Sequence, residues 1–520
     1  MATTANNSQA ALGNRDISVI FIIAAAALIV IGAKFWMIAR YGNPTPAWDQ
    51  LDDEGGFVFL KYLGGTLSWS DLLAPHNEHR LVSTRLWLLL WLVLEGYWDP
   101  IVQMLANALI YAAAATFFIG AFRSILGTQS WVLFAAFATL VFALPWTWGT
   151  TLDGFNVQYY FLELFSIAAI VAIVGARAFA PRWWLALVLL LCGYLSLAGG
   201  AATAIAAFAL CLAQLAAGAR RGAREWIAVV AVGAVAVLML ADMPRHPAIY
   251  QAHAVWLFVR AMAEILSWPA ATGLTFPPTL IVLAVITYLP SCLASLDIIA
   301  SRPPCTDKRW LVVAFSGWMM SQIAAVAYAR ADASVTARYI DMYAFGLPLN
   351  AACLLYLLEA YPQIRSRRRL VIAAVVLWLV PVCAGTTLTL VKHTRRDLAT
   401  ARHVAAAQAQ NVRAYLDSGD IRALQNKGQY EIPSLDPGTV ARVFSQPAIR
   451  AILPPALVGE DSARRARQRG IARDTGRAVE VIRDTILRGG FLLMPLGLAL
   501  FAFGVARTKR AADNMPLAAN

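Results

Sequence analysis

Apolar runs, all but one of 16 to 23 residues, recur along nearly the whole of this chain, and that repetition limits its possible folds more than any other feature. A helix rises about 1.5 Å per residue, so roughly 20 apolar residues cross a hydrocarbon core about 30 Å thick. Facing lipid, every backbone N–H and C=O must be satisfied inside the segment, and runs of this length do so as helices. They fall at 17–37, 101–122, 131–146, 156–175, 184–197, 200–217, 226–242, 274–296, 310–328, 341–360, 369–391 and 491–506. The expectation is an all-α integral membrane protein with about twelve membrane-spanning helices. Composition agrees: of 520 residues, 59% are hydrophobic and 14% charged, against roughly 25% charged in soluble domains. The segment before the first run is polar and nearly uncharged, and no small-residue cleavage site follows that run, so it reads as a retained signal anchor.

The net charge of +13 has a topological explanation. With the N-terminus in the cytoplasm, the inside segments hold 17 basic residues, among them Arg220, Arg221, Arg224 and the cluster Arg365, Arg367, Arg368 and Arg369. The short outside loops hold eight: Arg40, Lys61, Arg80, Arg85, Arg245, Arg260, Arg330 and Arg338. The positive-inside rule favours this orientation, with both ends cytoplasmic, and no nucleic-acid partner is needed to explain the charge. The apolar stretch Leu81–Leu94 is only 14 residues long; counting it as a span would invert every later loop, so it is expected to lie in the outer interface. The six cysteines form no CxxC pair and none lies in an outside loop, which argues against a disulfide framework or a zinc site.

Two outside regions are long. Residues 38–100 form the first outer loop within a membrane domain spanning 1–391. Residues 392–490 form a small C-terminal segment, with helices expected at Asp397–Leu416 and Ser462–Arg488, and 491–520 supply the last span and tail.

All six histidines lie on the expected outside, as does the densest group of acids. The first loop reads Trp48-Asp49-Gln50-Leu51-Asp52-Asp53-Glu54 and, later, Pro75-His76-Asn77-Glu78-His79-Arg80. Four acids in six positions repel one another, so at least one is expected to hold its proton more tightly or to bind a cation or a hydroxyl group. A solvated loop with an acidic helix start reads the same charges equally well. Asp153 is the single charge of the loop between the third and fourth expected spans, and a turn or N-cap role is its plainer reading. Arg330, Arg338 and Tyr339 flank the ninth and tenth spans, where a guanidinium can clamp a phosphate or bind an ordinary lipid headgroup. His246 and His253 stand seven apart, but Pro247 interrupts that helical spacing and weakens a metal-pair reading. Glu163 is the one mid-span charge this reading identifies.

The order of these features resembles the GT-C superfamily of membrane glycosyltransferases, particularly the protein O-mannosyltransferases and aminoarabinose transferases. Asp53-Glu54 is similar to the family's Asp-Glu pair. Pro75-His76-Asn77-Glu78-His79 stands where the family has a His-Pro-Pro stretch, and Arg338-Tyr339 resembles a late Arg-Tyr pair. The resemblance covers roughly residues 17–360. It implies a GT-C-like fold and inverting transfer of a sugar from a polyprenyl-phosphate donor to a glycan, lipid or protein acceptor of the cell envelope, at the outer face of a bacterial inner membrane. It implies Asp53 as general base with Asp49 or Asp52 as alternates, Glu54 as neighbour and Asp153 as second acid. His76, Glu78, His79, Arg80, Arg330, Arg338 and Tyr339 would bind substrate or its phosphate, with Lys61 and Arg85 as further cations. No cofactor is assigned, and a divalent metal ion is the one the acids leave open. The principal alternative is a transporter or flippase of a lipid-linked saccharide, which should carry more ionisable groups at mid-membrane. A non-catalytic assembly protein using its Arg-rich segment 462–488 is the third.

Overall fold

A computed structural model describes residues 2–244, 250–333, 335–363, 367–459 and 470–513, the side chains of 2–16, 333 and 511–513 excepted. The chain is all-α, and among the described residues no strand forms. Among the described residues ten helices are long and apolar enough to cross a membrane: Ile17–Tyr41, Pro100–Ser124, Thr128–Thr151, Gly199–Ala216, Ala223–Asp242, Pro277–Ser301, Trp310–Ala329, Ile340–Ala360, Arg368–Ser418 and Ile471–Arg510. The other two expected spans correspond to the apolar but shorter helices Val157–Ile173 and Pro181–Tyr194. Seventeen residues rise about 25 Å, less than the roughly 30 Å of a typical core. The expected count of twelve therefore becomes ten full-length helices and two short ones. His246 lies outside the described residues, as do Arg245, Arg365 and residues 460–469 of the Arg-rich segment.

Large aromatic side chains fill the interior between the helices. Phe118 packs edge-on against Phe315 and Phe345 with ring centroids 5.0 and 5.3 Å apart, and Trp131, Trp183, Trp310 and Trp318 are almost wholly enclosed. Such rings contribute large apolar contact and pack in edge-to-face pairs. By contrast, Leu133, Leu140, Val230, Leu238 and Leu296 are exposed along the outer surfaces of spans, as a lipid solvent permits.

The first long loop folds into short helices held by local capping. Ser68 and Asp71 form a reciprocal capping box on Trp69–Leu73. Helix Val82–Glu95 stops at Gly96, whose φ of 81° is in the left-handed region a Cβ disfavours. Asp99 then caps Pro100–Ala121, its carboxylate accepting from the Ile101 N–H at 2.8 Å. Helix Val82–Glu95 packs against Ile471–Gly489, where Arg483 pairs with Asp99 at 2.7 Å.

The boundary expected near residue 392 falls inside a continuous helix, Arg368–Ser418, through a wide π-helical turn at Thr389–Thr394. The segment after it folds back on the first loop. Trp48 N–H donates to the Pro433 carbonyl at 2.8 Å, Trp98 N–H to Ile452 at 2.7 Å, and Asn43 Nδ2 to Gln408 at 2.7 Å. One end of the helix bundle is thus roofed by two segments far apart in sequence.

Candidate functional site

The acids of the first loop sit on a π-helical stretch, Gln50–Phe59. Wide turns of this kind re-aim side chains and are frequent at functional sites, and here neighbouring acids take different environments. Asp53 is 4% exposed and faces Arg85, which is 1% exposed. Arg85 Nε lies 3.0 Å from Oδ2 and Nη2 2.5 Å from Oδ1, a bidentate pair. Arg85 Nη1 also donates to the carbonyls of Asp71, Leu72 and Ala74, tying this loop to helix Val82–Glu95. Glu54 accepts from Gln50 Nε2 at 2.9 Å and from Gln103 Nε2. Burial pushes its carboxyl up to about 8, against the hydrogen bonds from Gln50, Gln103 and Trp98.

Pro75–His79 turns back tightly: His76 N–H bonds to His79 O at 2.9 Å, and the reverse bond is 3.0 Å. Asn77 occupies the left-handed region with φ of 52°, which asparagine tolerates. The turn directs His76 to Asp53, 3.5 Å from Nδ1, and to Asp49, 3.7 Å from Nε2. Burial opposes the imidazolium, but the contacts with Asp49 and Asp53 prevail and raise the His76 pKa. Burial also disfavours the half-buried Asp49 carboxylate, yet His76, Arg338 and His79 hold it below the usual aspartate range. His79 accepts the Ala198 N–H at its Nδ1, 3.4 Å away, so it is neutral there. Burial and the nearby Arg330 take it down to about 4, against the pull of Glu78.

Asp153 completes the cluster from the second loop. Its Oδ1 accepts the Phe155 N–H at 2.8 Å and its Oδ2 the Asn156 side-chain amide at 3.0 Å. Burial raises its pKa to about 7, with the charge of Asp49 adding to the rise and Arg338 opposing it. The two loops are locked together by Asn107 Nδ2 bonding to Gly154 O at 2.8 Å and by the His76 ring edge-on to Phe155, centroids 5.8 Å apart. A Cβ on Gly149 would lie 3.0 Å from the carbonyl carbon of Ala337 and the nitrogen of Arg338, so a glycine allows the Arg338 backbone to come this close. Asp153, Gly149, Gln50 and Trp48 line a cavity of about 480 Å³, together with Arg396 and Met104.

Of the expected cations, Arg330 pairs with Glu78 and lies over the Tyr250 ring at 5.4 Å. Lys61 pairs with Asp71, and Arg80 binds Asp242 through contacts of 2.7 and 2.9 Å, away from the cluster. Asp52 also points away, to Arg442 at 3.2 Å. Arg338 is exposed above the Tyr339 ring and has no ion pair among the described residues. Tyr339 is itself buried edge-on to Tyr159, centroids 6.0 Å apart. No three His, Cys, Asp or Glu side chains among the described residues are arranged to hold a metal ion. Asp53 is committed to Arg85, and Glu54 to Gln50 and Gln103.

One cluster escaped the sequence reading. Lys34 and Asp341, both inside membrane-length helices, join Glu163 in the bundle interior, so Glu163 is not the one mid-span charge. Lys34 Nζ lies 3.7 Å from Asp341, donates to Thr147 at 2.5 Å and Thr151 at 2.7 Å, and stands 4.1 Å over the Tyr111 ring. Thr150 donates to Asp341. The signal was present, a lysine seven residues before the end of the first apolar helix and an aspartate directly after Tyr339-Ile340, but Lys34 reads as a snorkelling terminal cation and Asp341 as a helix-start acid.

No family model matches the chain, and comparison with curated proteins and with solved structures returned no match.

Proposed function

We propose that this protein is a membrane glycosyltransferase that moves a sugar from a polyprenyl-phosphate carrier to an envelope acceptor at the outer face of a bacterial inner membrane. The observation that carries this reading is the divergence of Asp49 and Asp153. These neighbouring carboxylates have pKa values moved in opposite directions beside the exposed Arg338. A pair of acids driven apart in this way divides into an ionised stabiliser and a proton acceptor.

In this mechanism Asp153 is the general base. It removes the acceptor hydroxyl's proton as that oxygen bonds to the anomeric carbon and the bond from carbon to phosphate oxygen breaks. A single displacement inverts the anomeric centre. Asp49 remains ionised and faces the positive charge developing on the sugar. The leaving polyprenyl phosphate departs as an anion, and Arg338, with Arg396 on the cavity wall, offsets that charge. Asp53, the base implied by the resemblance, serves instead as the anchor of Arg85 and as a contact of His76. The lipid tail stays among the helices while the cavity receives the head. The test is to incubate the purified protein with radiolabelled polyprenyl-phosphate sugars and to compare wild type with Asp153→Asn and Asp49→Asn. Turnover lost in both variants supports the reading; a protein that binds and turns over none of the donors ends it.

A second reading draws on the Lys34, Asp341 and Glu163 cluster. Ionisable groups within spans are costly and commonly mark transport paths, which favours a transporter of lipid-linked saccharides more than the sequence did. Movement of a labelled lipid-linked sugar across proteoliposomes, without transfer to an acceptor, would select it.

A further inference from the structure

Beside the cavity that holds Asp153 lies a second one of about 300 Å³, and Trp148 and Asp397 line both. Its lining includes three tryptophans, Trp146, Trp148 and Trp268, together with Glu264, Asp397 and His393. Trp146 and Trp268 meet edge to face with centroids 4.9 Å apart, which holds both rings in place. Trp146 is 1% exposed, and its indole N–H has no hydrogen-bond partner among the described residues. A buried donor without a partner is costly, and a ligand oxygen that reaches it removes that penalty.

The chemistry of this chamber discriminates among ligands. Asp397 disfavours a phosphate, Glu264 being held by Arg260 at 2.8 Å, and three indoles disfavour a small hydrated ion. A pyranose ring suits both features, because its C–H faces lie against flat aromatic surfaces while its hydroxyls donate to carboxylates and accept from an indole N–H. We propose that this tryptophan-walled chamber seats the acceptor of the transfer, a saccharide ring whose reacting hydroxyl reaches past Trp148 to Asp153. The role of acceptor rests on the transferase reading; the affinity for a saccharide does not. The two cavities then divide the substrates: the lipid-linked donor beside Asp153 and Arg396, the neutral acceptor among the tryptophans.

The test uses saturation-transfer NMR on the purified full-length protein in detergent, with methyl glycosides of mannose, galactose and N-acetylglucosamine as probes. At least one glycoside receives magnetisation at its ring C–H protons from wild type. Trp268→Ala binds it about tenfold more weakly, a loss of about 1.4 kcal/mol. Trp146→Phe, which keeps the ring and removes the N–H, weakens binding less but measurably, and guards against misfolding of the alanine variant. Failure of every glycoside to bind wild type, or equal binding by both tryptophan variants, overturns the chamber as a saccharide site, even with donor turnover intact. Tryptophan-dependent binding with no donor ever turned over leaves the saccharide site standing and removes the transferase reading instead.

Discussion

Arg85 and Asp53 form a bidentate ion pair sealed from solvent, with contacts of 3.0 and 2.5 Å and exposures of 1% and 4%. Removing one member of a buried pair strands the other, which costs about 3–5 kcal/mol. Asp53→Asn should therefore lower thermal stability steeply, and replacing Arg85 by Gln as well should cost less than the two single changes summed. Thermal unfolding of the four proteins in one detergent measures this. A loss of turnover in Asp53→Asn at unchanged stability would instead make Asp53 the base.

The titration of Asp153 gives the transfer reaction a pH profile. Turnover should rise as the pH passes about 7, where Asp153 loses its proton, and Asp153→Asn should lower it by about 10²- to 10⁴-fold. The charged neighbours give signs to check. Asp49 raises the Asp153 pKa, so Asp49→Asn moves the inflection of any residual activity to lower pH; Arg338 lowers it, so Arg338→Gln moves the inflection higher. Rate profiles of the three proteins decide the matter, and inflections that do not move in these directions exclude Asp153 as the titrating group.

Glu54 and His79 should narrow the pH range of stability from opposite sides. The Glu54 carboxyl is raised to about 8 in the fold, so the folded chain holds a proton that the unfolded chain releases near the ordinary glutamate value. Its contribution is complete at acid pH and is lost as pH rises through about 8. His79, lowered to about 4, acts in reverse: its contribution is present above the ordinary histidine value and is lost as pH falls toward about 4. Melting temperature against pH should fall less on the alkaline side in Glu54→Gln and less on the acid side in His79→Gln. Curves parallel to wild type would show that neither group behaves so.

Lys34 and Asp341 make a parallel prediction inside the bundle. Lys34→Met should destabilise the protein by about 3–5 kcal/mol because Asp341 is left buried without its cation. Lys34→Met with Asp341→Asn should recover a substantial part. Unfolding by denaturant in mixed micelles reads both values, and additivity of the two changes would mean that the pair does not interact.

Much of the site was legible one residue at a time. Asp49, His76, Asp153 and Arg338 were each named from loops at the same expected face, and the fold brings them within electrostatic reach of one another. What could not be read was which acid is free. Asp52, Asp53 and Glu54 are consecutive in sequence, yet one meets Arg442 at the surface, one meets Arg85 in the interior and one meets two glutamine amides. Apart from Gln50, one helical turn from Glu54, those partners come from helices and segments 32 to 390 positions away, and no local pattern encodes such distances.

The sequence by itself determined that this chain is a helical, multi-pass membrane protein, because uninterrupted apolar length satisfies its own backbone hydrogen bonds wherever it occurs. The tertiary structure alone decided the partners of the acids, the burial of Lys34 beside Asp341, and the meeting of two cavities at Trp148 and Asp397. The physical reason is that hydrophobic length is a local, additive property. Charge pairing and desolvation depend instead on which side chains arrive from elsewhere in the chain and on how much water they exclude.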